Sequence, residues 1–251
     1  MRIIALSLLI LSSYCSANSL SAGSENFDWS DYSALLKENI LSAETSGIQT
    51  NLLNYQVISK DPKYSALFER LASYDPSSLK GKDKIAFYIN TYNLFAIKLV
   101  TDHMPKKSIR DIGTWFSPVW QKPAAVLAGK AISLDTIEHK ILRHMNEPRI
   151  HFAIVCASLS CPDLRTEAYS ANKLNEQLNE QTRNFLANSG KGIRIKGEKI
   201  YISKIFSWFA EDFAKDEKPA GILKFIAQYN IEAGRFAEFE TLNYDWQLNS
   251  Q

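Results

Sequence analysis

The residues best suited to covalent chemistry are crowded into one short stretch: Cys156, Ser158, Ser160 and Cys161, followed by Pro162 and Asp163. A cysteine attacks an acyl carbon as the thiolate. Near neutral pH that form needs a neighbouring histidine or a positive environment. The chain has four histidines. His103 and His144 lie among charged, loop-like residues and read as surface, which leaves His139 and His151 as candidate bases. The favoured constellation is Cys161 as nucleophile with His139 or His151, oriented by Glu138 or Asp163, and with Cys156 as the other candidate thiol. The same spacing equally permits a Cys156–Cys161 disulfide or an inert buried thiol. The sequence leaves these open.

Three arginines, Arg143, Arg149 and Arg165, fall around the same stretch and suit carboxylate or phosphate capture. They could as well brace the loop by pairing with Glu138, Asp163, Glu167 or Asp212. Asn90 and Asn93, one helical turn apart in an apolar run, join them and Ser158 as candidate binding residues. Buried amides must be hydrogen-bonded, so tying loops to the helix is their competing role. His139, His151, Cys156 and Cys161 are acceptable metal ligands. No close metal-ligand spacing occurs, so no metal and no cofactor is expected.

Several elements must position these residues. Residues 150–157 are almost continuously apolar and read as a strand buried on both faces. Alternation along such a strand would turn His151 away from Cys156, whereas Cys161 lies past the turn and escapes that rule. The spacing of Ile85, Tyr88, Ile89, Tyr92, Ala96 and Leu99 predicts a central buried helix over 82–102. Ser133 caps a helix that carries Glu138, His139 and Arg143, with Asp135 in its first turn. Asp61-Pro62 opens another. Further helices are expected over 32–41, 171–187, 205–213 and from Pro219. Residues 45–60 are ambiguous, with an extended piece around Tyr55–Ile58. Short strands are expected at 125–128 and 239–242. The alternation on either side of Lys196-Gly197-Glu198-Lys199 marks a β-hairpin over about 193–202. The class is α+β: a mostly helical single domain over 31–249, around a small sheet whose central buried strand is 150–157.

Composition sets limits on function. A net charge of +2 over 251 residues gives no electrostatic case for nucleic acid or an anionic membrane. Arg2, the apolar run Ile3–Leu11 and the small residues Cys15 and Ala17 form the pattern of a secretory signal. That run falls short of the roughly 20 residues that span a bilayer. Cleavage is expected after Ala17, or else after Ala22, followed by a loose lead-in over 18–30. The mature chain is expected to be periplasmic or secreted, with no transmembrane anchor.

Six blocks in order carry a family resemblance. They are Phe87-Tyr-Ile-Asn-Thr-Tyr-Asn93, Ser108-Ile-Arg-Asp-Ile112, Ile132–Arg143, Arg149–Pro162, Ser203–Phe213 and Tyr244–Asn249. Together they resemble the domain of unknown function 547 family, in its bacterial exported form, over roughly residues 80–249. The resemblance implies no particular reaction. Every histidine precedes both cysteines, the reverse of the order in papain-type and transglutaminase enzymes. On fold analogy alone, Asn90 would then stand where those enzymes carry their nucleophile. Two functions are therefore carried forward. One is a cysteine-dependent hydrolase or acyl transferase. The other is a non-enzymatic binding module that uses the Arg/His/Asn cluster for a partner, or for a small anionic or peptide ligand.

Overall fold

The computed structural model describes residues 26–105, 107–216 and 218–251. The expected leader over 1–17 and most of the lead-in lie outside the described residues. The fold is mixed α+β, with helices arranged around three small sheets.

Helix α1 (Ser30–Asn39) runs into an antiparallel hairpin of β1 (Ile40–Thr45) and β2 (Ile48–Leu53). Its two-residue turn, Ser46-Gly47, has φ of 54° and 75°, the left-handed pair that a tight hairpin requires. The short α2 (Tyr55–Ile58) and then α3 (Pro62–Ser73) follow. Asp61 caps α3 through its carboxylate, which accepts from Lys63 N at 2.8 Å, with Pro62 in the first turn. Helix α4 (Gly81–His103) is the central helix: every residue from Ile85 to Val100 except Lys98 is buried. Hairpin β3 (Pro123–Leu127) and β4 (Lys130–Ser133) leads into a helical run over 134–145. Its middle, Thr136–Leu142, is π-helical, a widened turn that often marks functional sites. Ser133 Oγ caps it by accepting from Thr136 N at 3.1 Å.

Downstream come α5 (Leu174–Ala187) and the hairpin β5 (Ile193–Lys196) and β6 (Lys199–Ile202). Then come α6 (Ile205–Trp208), α7 (Ala210–Phe213), α8 (Pro219–Ala227) and β7 (Glu240–Thr241), which pairs parallel to β6. Two large apolar clusters and a small one of Ile48, Leu52 and Leu159 form the core of the described residues. One of the large clusters surrounds α4. The other gathers Phe152, Phe206, Phe213 and Phe225. Ile150 and Ile154 belong to the first and Phe152 to the second, so this segment is the seam between them.

The expected central strand is not a strand. Residues Pro148–Phe152 form a 3-10 turn and 153–157 run on as irregular chain. Glu147 and Pro148 explain the start: the Glu147 carboxylate accepts from Arg149 N, and proline suits a first helical position. Asn93 explains the rest. Its side-chain amide donates to Ala153 O at 2.9 Å and accepts from Val155 N at 2.8 Å. The bonds a neighbouring strand would have made are supplied from the flank of a helix. With no strand there is no alternation, and the rule that would separate His151 from Cys156 does not apply.

Candidate functional site

A cavity of about 270 Å³ opens at this seam. Tyr92 of α4, Glu138 and His139 of the π turn, His151, Cys156 and Cys161 form one wall. Trp120, Trp208, Phe209, Tyr244 and Trp246 form the other. The aromatic wall is held by the C-terminal tail, which runs beside 157–160. Leu159 N donates to Gln247 O at 2.8 Å, Asn249 N to Ala157 O at 3.2 Å, and Asp245 N to Ser160 Oγ at 2.8 Å. This pairing brings the Tyr244 hydroxyl to the sulfurs and Trp246 to the cavity. The rings of Trp208, Tyr244 and Trp246 lie 4.6–5.7 Å from one another. A larger open depression of about 660 Å³ between α1, α4 and residues 167–173 holds neither histidine nor sulfur.

Cys156 and Cys161 are joined as a disulfide. The sequence left this open beside a free thiol; in this state neither sulfur is a nucleophile. The two differ in surroundings. Cys156 is half-buried and faces the cavity, whereas Cys161 is 2% exposed. Cys161 Sγ accepts from Cys156 N at 2.9 Å and from the Tyr244 hydroxyl at 3.3 Å. Ser158 Oγ donates in turn to Tyr244 at 3.4 Å. Burial raises the Tyr244 phenol, so it stays protonated and remains a donor. Ala157, beside Cys156, sits at φ 57°, a left-handed conformation that costs an ordinary residue about 1–2 kcal/mol.

Glu138 is the unusual acid. Burial pushes its carboxyl up to about 7, against the lowering effects of the Tyr92 hydroxyl, 3.2 Å from Oε2, and of Arg143. It therefore changes charge near neutral pH. His139 Nδ1 lies 2.9 Å from Arg143 Nη1. A guanidinium can only donate, so Nδ1 is the acceptor and the proton of the neutral ring is on Nε2. Burial, partly offset by Asp135, lowers the His139 pKa and favours that neutral ring. His151 is buried and stacked on Phe209 at 4.1 Å, with Nε2 2.7 Å from Asp212 Oδ2. Burial lowers the His151 pKa. Burial alone would raise Asp212, but bonds from His151 and Arg143 hold it down to about 2. Asp212 is thus an anion that fixes the His151 Nε2 proton.

The structure brings Cys156, Cys161, Glu138, His139 and His151 to one cavity. Among the described residues no hydrogen bond joins either histidine to a sulfur. Asp163, an expected orienter, is turned elsewhere: it accepts from Thr50 Oγ1, Asn51 N and the buried Lys191 Nζ. The arginines are occupied. Arg143 pairs with Asp212 and Glu211, Arg149 with Glu147, Asn175 and Asn179, and Arg165 with Glu167 and Glu180. Asn90 spends its amide on Tyr169 N and O, both at 2.8 Å, as Asn93 does on 153–155. Among the described residues no group of three or more His, Cys, Asp or Glu side chains is placed to hold a metal ion, and no helix is long and apolar enough to cross a membrane.

The sequence did not point to Tyr92, Trp120, Tyr244 or Trp246 as site residues. The aromatics of 206–213 read as core, and they divide. Phe206 and Phe213 are core, whereas Trp208 and Phe209 line the cavity. The available signal was the density of Trp and Tyr near the C-terminus, which has little reason to be exposed unless it covers something.

Comparison with curated proteins and with solved structures returns no match. One family model matches, over residues 76–186. That span holds Tyr92, the π turn, both histidines of the cavity and both cysteines. The blocks at 203–213 and 244–249, which furnish most of the aromatic wall, lie beyond it. Residues 76–186 thus match the family described as protein of unknown function, DUF547.

Proposed function

We propose that the protein is an exported binding module whose aromatic cavity takes a small, largely apolar ligand carrying one amine or other hydrogen-bond donor. One observation carries the reading: the charged group enclosed with the aromatic rings is the Glu138 carboxyl, while the neighbouring cations are already neutralised by carboxylates. Aromatic faces attract cations, and a buried carboxylate adds to that attraction. An anionic ligand would meet Glu138 unpaired. Export is supported by the N-terminal signal pattern and by the disulfide, which suits an oxidising compartment. N-terminal sequencing of protein recovered outside the cytoplasm tests it: an intact Met1 overturns it.

The binding test uses matched probes, phenethylamine and phenylacetate, with tryptophan fluorescence at about pH 8, where Glu138 is ionised. The amine should quench saturably and the carboxylate should not. Glu138→Gln should weaken the amine by about tenfold, the worth of one charged hydrogen bond. Equal binding of both probes, or of neither, refutes the reading.

A second reading is a cysteine-dependent hydrolase or acyl transferase. The half-buried Cys156 shares the cavity with two histidines and a carboxyl that titrates near neutrality. This reading needs the reduced pair, and exposure favours Cys156 over Cys161 as nucleophile. Ester turnover that appears on reduction and is lost in Cys156→Ser supports it. Turnover that is indifferent to both rules it out.

A further inference from the structure

We propose that Cys156 and Cys161 form an exchangeable pair that reacts with an external thiol entering through the aromatic cavity. The asymmetry of the two sulfurs carries the inference. Attack on a disulfide needs one accessible sulfur and a partner sulfur that leaves readily as thiolate. Cys156 is the accessible one, on the cavity wall. Cys161 is the enclosed one: the backbone N–H of Cys156 donates to its sulfur at 2.9 Å, and the Tyr244 hydroxyl lies between the two sulfurs, 3.3 Å from Cys161 and 3.4 Å from Cys156. Both would strengthen as negative charge develops there. Ser158 donates to Tyr244 and fixes which way the phenol points.

A second observation argues against a bridge that only staples the fold. The disulfide spans five positions in sequence, and closing so short a loop restrains the unfolded chain less than a long one would. The loop is held without it. Leu159 N and Ser160 N donate to the tail carbonyls of Gln247 and Asp245, and Cys161 N donates to Ser158 O. The bond can therefore open while its surroundings stay in place.

The step balances as follows. A thiolate RS⁻ attacks Cys156 Sγ and forms a new RS–Sγ bond. The Cys156–Cys161 bond breaks, and its electron pair leaves on Cys161 Sγ. A second RS⁻ attacks the sulfur of R in the mixed disulfide, releasing RSSR and the Cys156 thiolate. Two thiols are oxidised to one disulfide, and the protein pair is reduced and takes up two protons. The proposal goes beyond the ligand-binding reading and does not need it: failure of phenethylamine to bind would leave the exchange standing.

The test uses the full chain and glutathione as probe. Folded protein is incubated with reduced glutathione, quenched with iodoacetamide, and mapped by mass spectrometry. In parallel, Cys161→Ser and Cys156→Ser are exposed to oxidised glutathione, with circular dichroism confirming that each is folded. The expected result is a mixed disulfide on Cys156 in the wild type. Cys161→Ser should take up glutathione at Cys156 at least about tenfold faster than Cys156→Ser does at Cys161, because access controls the rate. Tyr244→Phe should slow reduction of the wild-type bond by about tenfold, one hydrogen bond to a charged acceptor. A disulfide that resists glutathione in the folded chain but yields in the urea-unfolded chain overturns the proposal. So does equal labelling of the two cysteines. The wild-type adduct map decides the matter even if a serine variant fails to fold.

Discussion

Truncating Asn93 should uncouple the cysteine segment from the central helix, and truncating Asn90 should not. The two asparagines lie one turn apart on α4, are 3% and 0% exposed, and each ties one stretch of irregular chain through a donated and an accepted bond. Replacing either with alanine deletes two hydrogen bonds and strands one backbone N–H and one C=O in the core. Each stranded group costs about 1–3 kcal/mol, so each variant should lose about 2–6 kcal/mol. Against a total of about 5–15 kcal/mol that is a large share, and both should remain measurable by urea unfolding. The local consequences differ. Asn93→Ala frees Ala153 O and Val155 N, next to Cys156, whereas Asn90→Ala frees Tyr169 N and O, one helical turn away along α4. Hydrogen exchange should therefore accelerate at Val155 N in the first variant and at Tyr169 N in the second, each leaving the other site protected. A cost below about 1 kcal/mol for Asn93→Ala would refute the claim that its amide replaces a strand neighbour. So would equal loosening of Val155 in both variants.

Two further outcomes follow from the charged groups. Glu138 has a folded pKa of about 7 against an ordinary 4.5, so the stability it contributes is complete below its ordinary value and is lost as pH rises through about 7. The loss is at most about 3 kcal/mol, and urea unfolding from mildly acid to mildly alkaline pH should show it in the wild type but not in Glu138→Gln. Asp163→Ala should cost about 3–5 kcal/mol, because it leaves the ammonium of Lys191, 1% exposed, without its counter-charge. Adding Lys191→Met should recover much of that loss in the same assay, and a double variant weaker than Asp163→Ala alone would count against a charge-burial origin.

What the sequence made readable was local. The buried period of α4, the Asp61-Pro62 start of α3, the Ser133 cap and the hairpin at 193–202 all depend on residues within a turn or two of one another. The strand over 150–157 failed because an apolar run reports burial, not conformation. What decides the conformation is a side-chain amide from a helix some sixty positions upstream. The tail failed for the same reason. Tyr244 reaches the sulfurs, and Trp246 the cavity, only through backbone pairing with 157–160, across more than eighty positions, and no regular strand announces it. The arginines were readable in both of their roles: Arg143 and Arg165 take the offered Asp212 and Glu167, whereas Arg149 takes Glu147, which the sequence had not offered.

The two walls of the cavity have different origins, and this has a physical consequence. The cysteine segment and the Glu138 carboxyl are held to α4 by the Asn93 amide and the Tyr92 hydroxyl, and His151 is held by Asp212. A change there disturbs the fold together with any chemistry. The aromatic wall rests on α6, on Phe209, on the loop that carries Trp120 and on a tail segment, where Trp208 is 47% exposed. Substituting Trp208 or Trp246 removes a ring from the cavity without stranding a buried polar backbone group, since the tail's bonds to 157–160 are made by other atoms. The cavity can therefore be reshaped at Trp208 or Trp246 while the disulfide and the Cys156 N–H that donates to Cys161 stay in place, whereas Tyr244, packed on both rings, belongs to the wall that changes. Ligand choice and sulfur chemistry meet at this wall, since Trp208 lines the cavity and packs on Tyr244, so Trp208→Ala should weaken probe binding and, by widening access, should not slow glutathione exchange at Cys156.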